Sequence, residues 1–306
     1  MTDTVLVLAW LVFAHLVADF VLQNDWIALN KAQGGRKGAE ALAAHGLHVG
    51  LCLLPAVFAF GLPGLVYLVV VVASHVLVDR WKVQATRRAE RAALETARRM
   101  LAGAGEAPPS GLGSAWTAWP GMLFLADQAL HLVIAIVGWL VLLEGVALQP
   151  VFVDAVNLVL RAWDRATVHA AVLGGIVLAS LFLVNTRAAY YFVLAMVSPR
   201  ELPADAELGT AVTAATPLRP ATSVPSGAQA RIGAAIGALE RLLIVALVLV
   251  GAEVAVGFVI VAKTLARFRQ LEDRGFTEYF LLGTFASVSV ALLSALVARA
   301  ALGTLP

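Results

Sequence analysis

VLVLAWLVFAHLVADFVLQ, residues 5–23, is apolar at every position except His15, Asp19 and the closing Gln23. As a helix rising about 1.5 Å per residue, it is about as long as the ~30 Å hydrocarbon layer of a membrane is thick. It has neither a basic n-region nor a small-residue cleavage site, so it reads as a retained span and not as a signal peptide. A histidine and an aspartate one turn apart are costly in hydrocarbon, and ionisable groups inside spans mark function by default.

The rest of the chain fits the same class. Of its 306 residues 60% are apolar, and the mean hydropathy is +0.86. Apolar runs fall at about 4–22, 45–61, 63–80, 121–144, 168–197, 232–250, 252–268 and 278–300. The expected fold is all-α, a polytopic bundle of seven or eight membrane helices with interfacial amphipathic helices. Cys52 is the one cysteine, which excludes an intrachain disulfide and a thiolate cluster, so a metal here must use histidine and carboxylate.

Punctuation divides the chain. Gly61-Leu-Pro63-Gly64 reads as a tight turn joining the second and third runs into an antiparallel hairpin. Residues 81–102 read as a basic helix on the membrane surface, and 150–167 as another surface helix. The Gly/Pro-rich stretch 103–120 carries Trp116 and Trp119 as interfacial anchors. The Pro/Ala/Thr segment 198–230 has no means of forming a core and reads as a disordered linker. It separates an N-terminal five-span domain, 1–197, from a C-terminal three-helix module, 231–306.

Basic residues in short loops set orientation. Lys31, Arg36 and Lys37 follow the first run, and Arg80, Lys82, Arg87, Arg88 and further arginines follow the third. The turn at 61–64 is uncharged, so the N-terminus is expected outside and both basic loops inside. On that topology the polar residues within spans, His15/Asp19, His45/His48, His75/Asp79 and Asp127/His131, all fall at the cytoplasmic edge. Three pairs are i,i+4 and His45/His48 is i,i+3, about 40° and 60° apart around a helix. Each pair can face one centre, as bundles do when they build metal sites from facing helices.

The eight candidate metal ligands are therefore His15, Asp19, His45, His48, His75, Asp79, Asp127 and His131. They are enough for two ions, or for one ion with supporting groups; His15, His48, His75 and His131 are expected to approach a common ion. Gln23 and Gln128 are placed to orient ligands, and Lys31 and Lys82 to hold an anion. The bland alternative is that the pairs are interhelical hydrogen bonds holding the bundle together. His169 starts the fifth run at the other end and receives no role.

The succession HxxxDFxxQ at 15–23, Lys31, HxxH at 45–48, HxxxDxxK at 75–82 and DQxxH at 127–131 resembles a bacterial membrane-protein family, domain-of-unknown-function family 3307, over about residues 5–140. GxxxGxxER at 233–241, GFxxxxKxxxRF at 257–268 and EYxLxGTxxS at 278–287 match a block that often accompanies it. The resemblance implies a multi-pass protein of the bacterial inner membrane and this motif set, without a reaction. More distantly, the motif style is similar to that of membrane-bound metal-dependent hydrolases.

Three functional expectations follow. One is hydrolysis of a lipid or lipid-linked substrate by a divalent ion, zinc in the first instance, with Asp19 or Asp127 taking the proton of the attacking water. Another is transport or relay of protons or metal ions through the same groups, and the third is a non-catalytic scaffold. Membrane lipids are the expected partners, and nucleic acid is not. In the C-terminal module Gly233 and Gly237 form a small-xxx-small pair suited to close helix approach. Glu240, Arg241, Glu253, Lys263, Arg267 and Glu278 are expected to form ion pairs that lock its helices, with a headgroup site at Lys263 and Arg267 as the alternative.

Overall fold

A computed structural model describes residues 3–33, 35–104, 116–198 and 227–305. The described residues are helical, without strands. Seven helical segments are long and apolar enough to cross a membrane: Thr4–Leu22, Gly35–Phe60, Leu62–Arg99, Trp119–Leu142, Arg165–Val197, Arg231–Leu249 and Arg274–Leu302. They fit a multi-pass membrane protein. Their outward faces carry Leu47, Leu51, Leu54, Val69 and Val70, all exposed, as helices solvated by lipid require.

The chain forms two compact units, 1–84 with 125–188 and 296–306, and 85–124 with 189–295. In the first, α1 (Thr4–Val17) is capped by Asp3, whose side chain accepts from the Leu6 amide, and it ends in a π-helical turn, Ala18–Leu22. The i→i+5 turn buries three consecutive residues, Ala18, Asp19 and Phe20. π-turns of this kind recur at functional sites.

The basic loop expected after the first span is instead largely a helix, α2 (Asp25–Gln33). Asn24 accepts from the Ile27 amide at 2.9 Å, and that cap starts it. Gly35, at φ +65°, turns the chain into α3 (Gly35–Phe60), and Gly38 lets α2 lie close, since a Cβ there would meet the Asn30 carbonyl at 3.4 Å.

The hairpin at 61–64 forms as the sequence indicates. Gly61 takes φ +66°, and α4 (Leu62–Ala104) folds back so tightly that a Cβ on Gly64 would stand 2.1 Å from the Ala56 carbonyl oxygen. Lower down, a Cβ on Gly46 would meet Val76 Cγ2 at 2.9 Å, and one on Gly50 would meet Val72 Cγ2 at 3.6 Å. The close approach of helices therefore belongs to Gly46, with Gly50 in ordinary contact one turn on. It does not belong to the pair picked out in the C-terminal module: nothing described lies within 4 Å of a Cβ on Gly233, and the room beside Gly237 is taken by Arg241 of its own helix.

α4 runs unbroken for 43 residues, about 65 Å at the usual rise. Residues 81–102 thus prolong the third span as one helix. They do not form the separate surface helix expected for them. α5 (Trp119–Leu142) completes the layer around a core of Leu11, Leu53, Tyr67, Val71 and Trp139, where the Tyr67 hydroxyl donates to the Ala135 carbonyl. The short α6 (Pro150–Leu160) buries none of its side chains, as an interfacial helix would. α7 (Arg165–Leu183) starts on an Asp164 cap, and its His169 pairs with Asp3.

The second unit contains α8 (Ala189–Val197), α9 (Gly227–Leu249), α10 (Ala255–Ala266), a 3-10 turn (Phe268–Glu272) and most of α11 (Arg274–Leu302). Trp116, expected as an interfacial anchor, donates from Nε1 to the Met196 carbonyl at 2.9 Å. Lys263 donates to Glu240 at 2.6 Å and buried Arg241 to Ser287 at 3.1 Å, while Arg274 pairs with Glu278. The Lys263–Glu240 pair joins two helices as the sequence suggested, whereas Arg241 meets a neutral hydroxyl and Glu278 pairs within its own helix. Most of the expected linker 198–230 and residues 105–115 of the Gly/Pro-rich stretch lie outside the described residues.

Candidate metal centre

Four elements of the first unit bring their ionisable side chains to one place. The end of α1 with its π-turn supplies His15 and Asp19, α3 supplies His45, α4 His75 and Asp79, and α5 Asp127 and His131. All are buried except His15, whose side chain is still only 8% exposed. Gly46 allows α3 and α4 to close at this level, and His45 Nε2 stands 3.0 Å from His75 Nε2.

Asp19 Oδ1 lies 3.4 Å from each of those two nitrogens. Asp79 Oδ2 lies 3.4 Å from His45 Nε2 and 3.9 Å from His75 Nε2. Four atoms held about 2.0–2.1 Å from one tetrahedral ion are roughly 3.3 Å apart. Asp19, His45 and His75 therefore match three ligands already drawn together, with Asp79 beside them. Asp19 Oδ1 is buried with no hydrogen-bond partner, an expensive condition for a carboxylate oxygen unless a cation satisfies it.

Around this set the polar groups take defined parts. His15 Nε2 donates to Gln128 Oε1 at 3.0 Å, and Gln128 Nε2 donates to Asp19 Oδ2 at 3.3 Å and Asp127 Oδ2 at 3.1 Å. Gln128 thereby fixes one oxygen of each carboxylate and leaves the other facing inward. Lys31, carried in by α2, donates to Gln23 Oε1 at 2.8 Å and Asp79 Oδ2 at 2.9 Å. Lys82 donates to Asp127 Oδ2 at 2.6 Å. Both ammonium groups are thus tied to carboxylates of the cluster, and the two glutamines orient its members as a supporting layer does.

Three overlapping groups have ligand atoms within 4.8 Å of one another: Asp19, His45 and His75; His15, His75 and His131; and Asp79, Asp127 and His131. Seven of the eight sequence candidates enter at least one. His48 enters none. It is the other half of the i,i+3 pair, and the rotation that aims His45 at His75 turns it aside; its Nδ1 is buried without a partner.

A cavity of about 20 Å³ lies against His15, His75 and His131, closed off by Leu11, Leu53, Val71 and neighbouring apolar side chains. That is room for about one water. The donor set is two imidazoles and two carboxylates without thiolate, which suits a borderline divalent ion such as zinc, manganese or iron.

A family model described as "Protein of unknown function (DUF3307)" matches residues 7–159, the stretch that contains every group of this cluster. No curated protein and no solved structure matches the chain.

Proposed function

The chain belongs to the DUF3307 family, and from that premise we propose that its membrane bundle holds a divalent metal ion at Asp19, His45, His75 and Asp79 and hydrolyses a phosphate ester of a lipid or lipid-linked substrate. One observation carries the reading: Asp19 Oδ1 and the Nε2 atoms of His45 and His75 converge at 3.0–3.4 Å with Oδ1 otherwise unpartnered. Formal charge agrees with it. Three aspartates face two lysines, so with neutral imidazoles the cluster has one negative charge in excess, the sign that attracts a cation.

A bound divalent ion lowers the pKa of its water towards 7 and polarises a phosphoryl oxygen. The chain's own groups supply the rest. His15 lines the one-water cavity and donates through Nε2 to Gln128, so its neutral ring keeps a lone pair at Nδ1 to accept the proton lost by the attacking water. Oxygen adds to phosphorus, the ester P–O bond breaks, and that proton leaves on the departing alcohol. Asp19, expected as a ligand or a proton acceptor, acts here as a ligand. Lys31 and Lys82 neutralise Asp79 and Asp127 and so do not hold the substrate's charge. The lipid substrate follows from a site within membrane helices, and zinc is the first ion to test.

Relay of protons or ions is the second reading. A continuous run of polar contacts favours it: Lys31, Asp79, His45, Asp19, Gln128, Asp127 and Lys82 are linked in sequence at 2.6–3.4 Å.

Detergent-purified protein, dialysed against Zn²⁺ or Mn²⁺ and measured by elemental analysis, should hold stoichiometric ion, and Asp19→Asn or His75→Ala should lose it. Phosphate release from lipid phosphate esters in mixed micelles should stop on chelation. Metal-free wild type with an intact fold would sink the metal reading. Bound metal with no ester cleaved, together with proton flux in proteoliposomes, would replace hydrolysis by relay.

A further inference from the structure

Asp127 and His131 form the fourth pair and take no direct part in the ligand set proposed above. Both are buried, Asp127 completely. Lys82 and Gln128 occupy Asp127 Oδ2 at 2.6 and 3.1 Å, which leaves Oδ1 pointing inward, buried and without a partner. His131 Nε2 lies 3.3 Å from the His75 carbonyl. A carbonyl only accepts, so Nε2 is the protonated nitrogen and Nδ1 of the neutral ring carries a lone pair. That Nδ1 is also buried and unpartnered, and it faces Asp127 Oδ1 at 3.7 Å.

Two lone pairs thus confront each other in a buried setting. Moving a proton onto Nδ1 does not resolve this, because 3.7 Å is too long for an N–H···O bond. A water donating to both would hold its acceptors roughly 4.5 Å apart at its natural angle. A metal ion about 2.0–2.1 Å from each atom spans any separation up to about 4 Å. Asp79 brings a ligand atom within 4.8 Å of this pair and also borders the first set. The His75 and His131 rings stack at 3.8 Å between centroids, so the two ligand sets adjoin, as two-metal sites require.

We infer that the centre is dinuclear, with a second divalent ion between Asp127 Oδ1 and His131 Nδ1 and with Asp79 facing both ions. The inference rests on the metal reading proposed above. It makes the Asp127/His131 pair a cation ligand, and it gives Lys82 and Gln128 the part of aiming Asp127.

The test is metal content and spectrum of the full chain in detergent after loading with Mn²⁺. Two ions per chain are expected in the unmodified protein, with the electron paramagnetic resonance spectrum of an exchange-coupled pair; this measurement needs no variant to fold. His131→Ala and Asp127→Asn should each fall to one ion with an isolated-ion spectrum. One isolated ion in the unmodified protein overturns the second site and leaves the first standing. Two coupled ions retained in His131→Ala also overturn the assignment. No ion in the unmodified protein overturns both readings.

Discussion

Lys31 shows how a residue's role depends on what the backbone does beside it. As a loop lysine near a membrane edge it reads as an anion holder. Placed on α2, it donates to Gln23 and to Asp79, a carboxylate only 1% exposed. Removing one partner of a buried pair leaves the other charge uncompensated, at a typical cost of about 3–5 kcal/mol. Lys31→Ala should therefore lower the melting temperature of chelator-treated protein in detergent. Lys31→Ala with Asp79→Asn should recover much of the loss, because the orphaned charge is gone. If the double variant melts no higher than the single, Lys31 acts through packing and not through Asp79. The pairs themselves were legible: i,i+4 spacing put His15 with Asp19, His75 with Asp79 and Asp127 with His131 on common faces, and those residues converge. Their partners were not, because which lysine meets which aspartate depends on tertiary placement that helical periodicity does not encode. The same limit explains His48, whose spacing from His45 suits one centre but whose direction depends on the rotation of α3.

Among the elements, α3 is where the sequence pattern and the structure part most instructively. Gly46 sits between the histidines of HxxH and Gly50 two residues beyond them, and these small residues were overshadowed by the ligands beside them. The contacts separate the two glycines. A Cβ at Gly46 would crowd Val76 at 2.9 Å, while one at Gly50 would make ordinary contact with Val72 at 3.6 Å. Gly46→Ala should destabilise by about 1–3 kcal/mol through overpacking and weaken ion uptake at the proposed site by parting His45 from His75. Gly50→Ala should be neutral or stabilising, since alanine favours a helix over glycine by about 1 kcal/mol. Paired melting curves and Zn²⁺ titrations check this, and equal losses in both variants would refute it. α2 was legible in principle, since Asn24 and Asp25 followed by Gly34-Gly35 are start and stop signals; its mixed composition hid it among loop residues.

The start of α1 gives a pH-dependent term. Asp3 caps the helix, and the Leu6 amide, with a further contribution from His169, holds its carboxyl below the ordinary value of 3.8. A carboxylate with a lowered folded pKa stabilises fully above its unfolded value and loses that contribution as pH falls through the folded one. Asp3→Ala should cost about 1 kcal/mol at neutral pH, as lost caps do, and the difference from wild type should shrink below about pH 4. Melting curves in detergent from pH 3 to 7 would show it; a difference unchanged across that range would rule the cap out as the source.

At the scale of the whole molecule the question is how often the chain crosses, and 252–268 is where the sequence leaves it open. α10 has 12 residues, about 18 Å, too short alone. Its contacts decide its course. Lys263, eight residues into α10, bonds Glu240, nine residues before α9 ends, so α10 runs back along α9 and brings Arg267 to about the level of Ile236. Arg241 bonds Ser287, thirteen residues into α11. Were α11 antiparallel to α9, Arg274 would lie roughly 27 Å from Arg267 along the axis, and the seven-residue step through a 3-10 turn at about 2 Å per residue covers only about 14 Å. With α11 parallel to α9 the gap is about 12 Å, which the turn spans. α10 and the 3-10 turn therefore carry the chain back together. Counting that return, the described helices amount to eight crossings, which would put Thr4 and Thr304 on one side, outside if the basic loops are inside. In a Cys52→Ala background, Thr4→Cys and Thr304→Cys should both react with a membrane-impermeant maleimide on intact cells, and Glu90→Cys only after permeabilisation. Thr304→Cys protected along with Glu90→Cys would mean that α10 does not return the chain, and Thr4→Cys protected while Glu90→Cys reacts would invert the orientation and leave the number of passes unchanged.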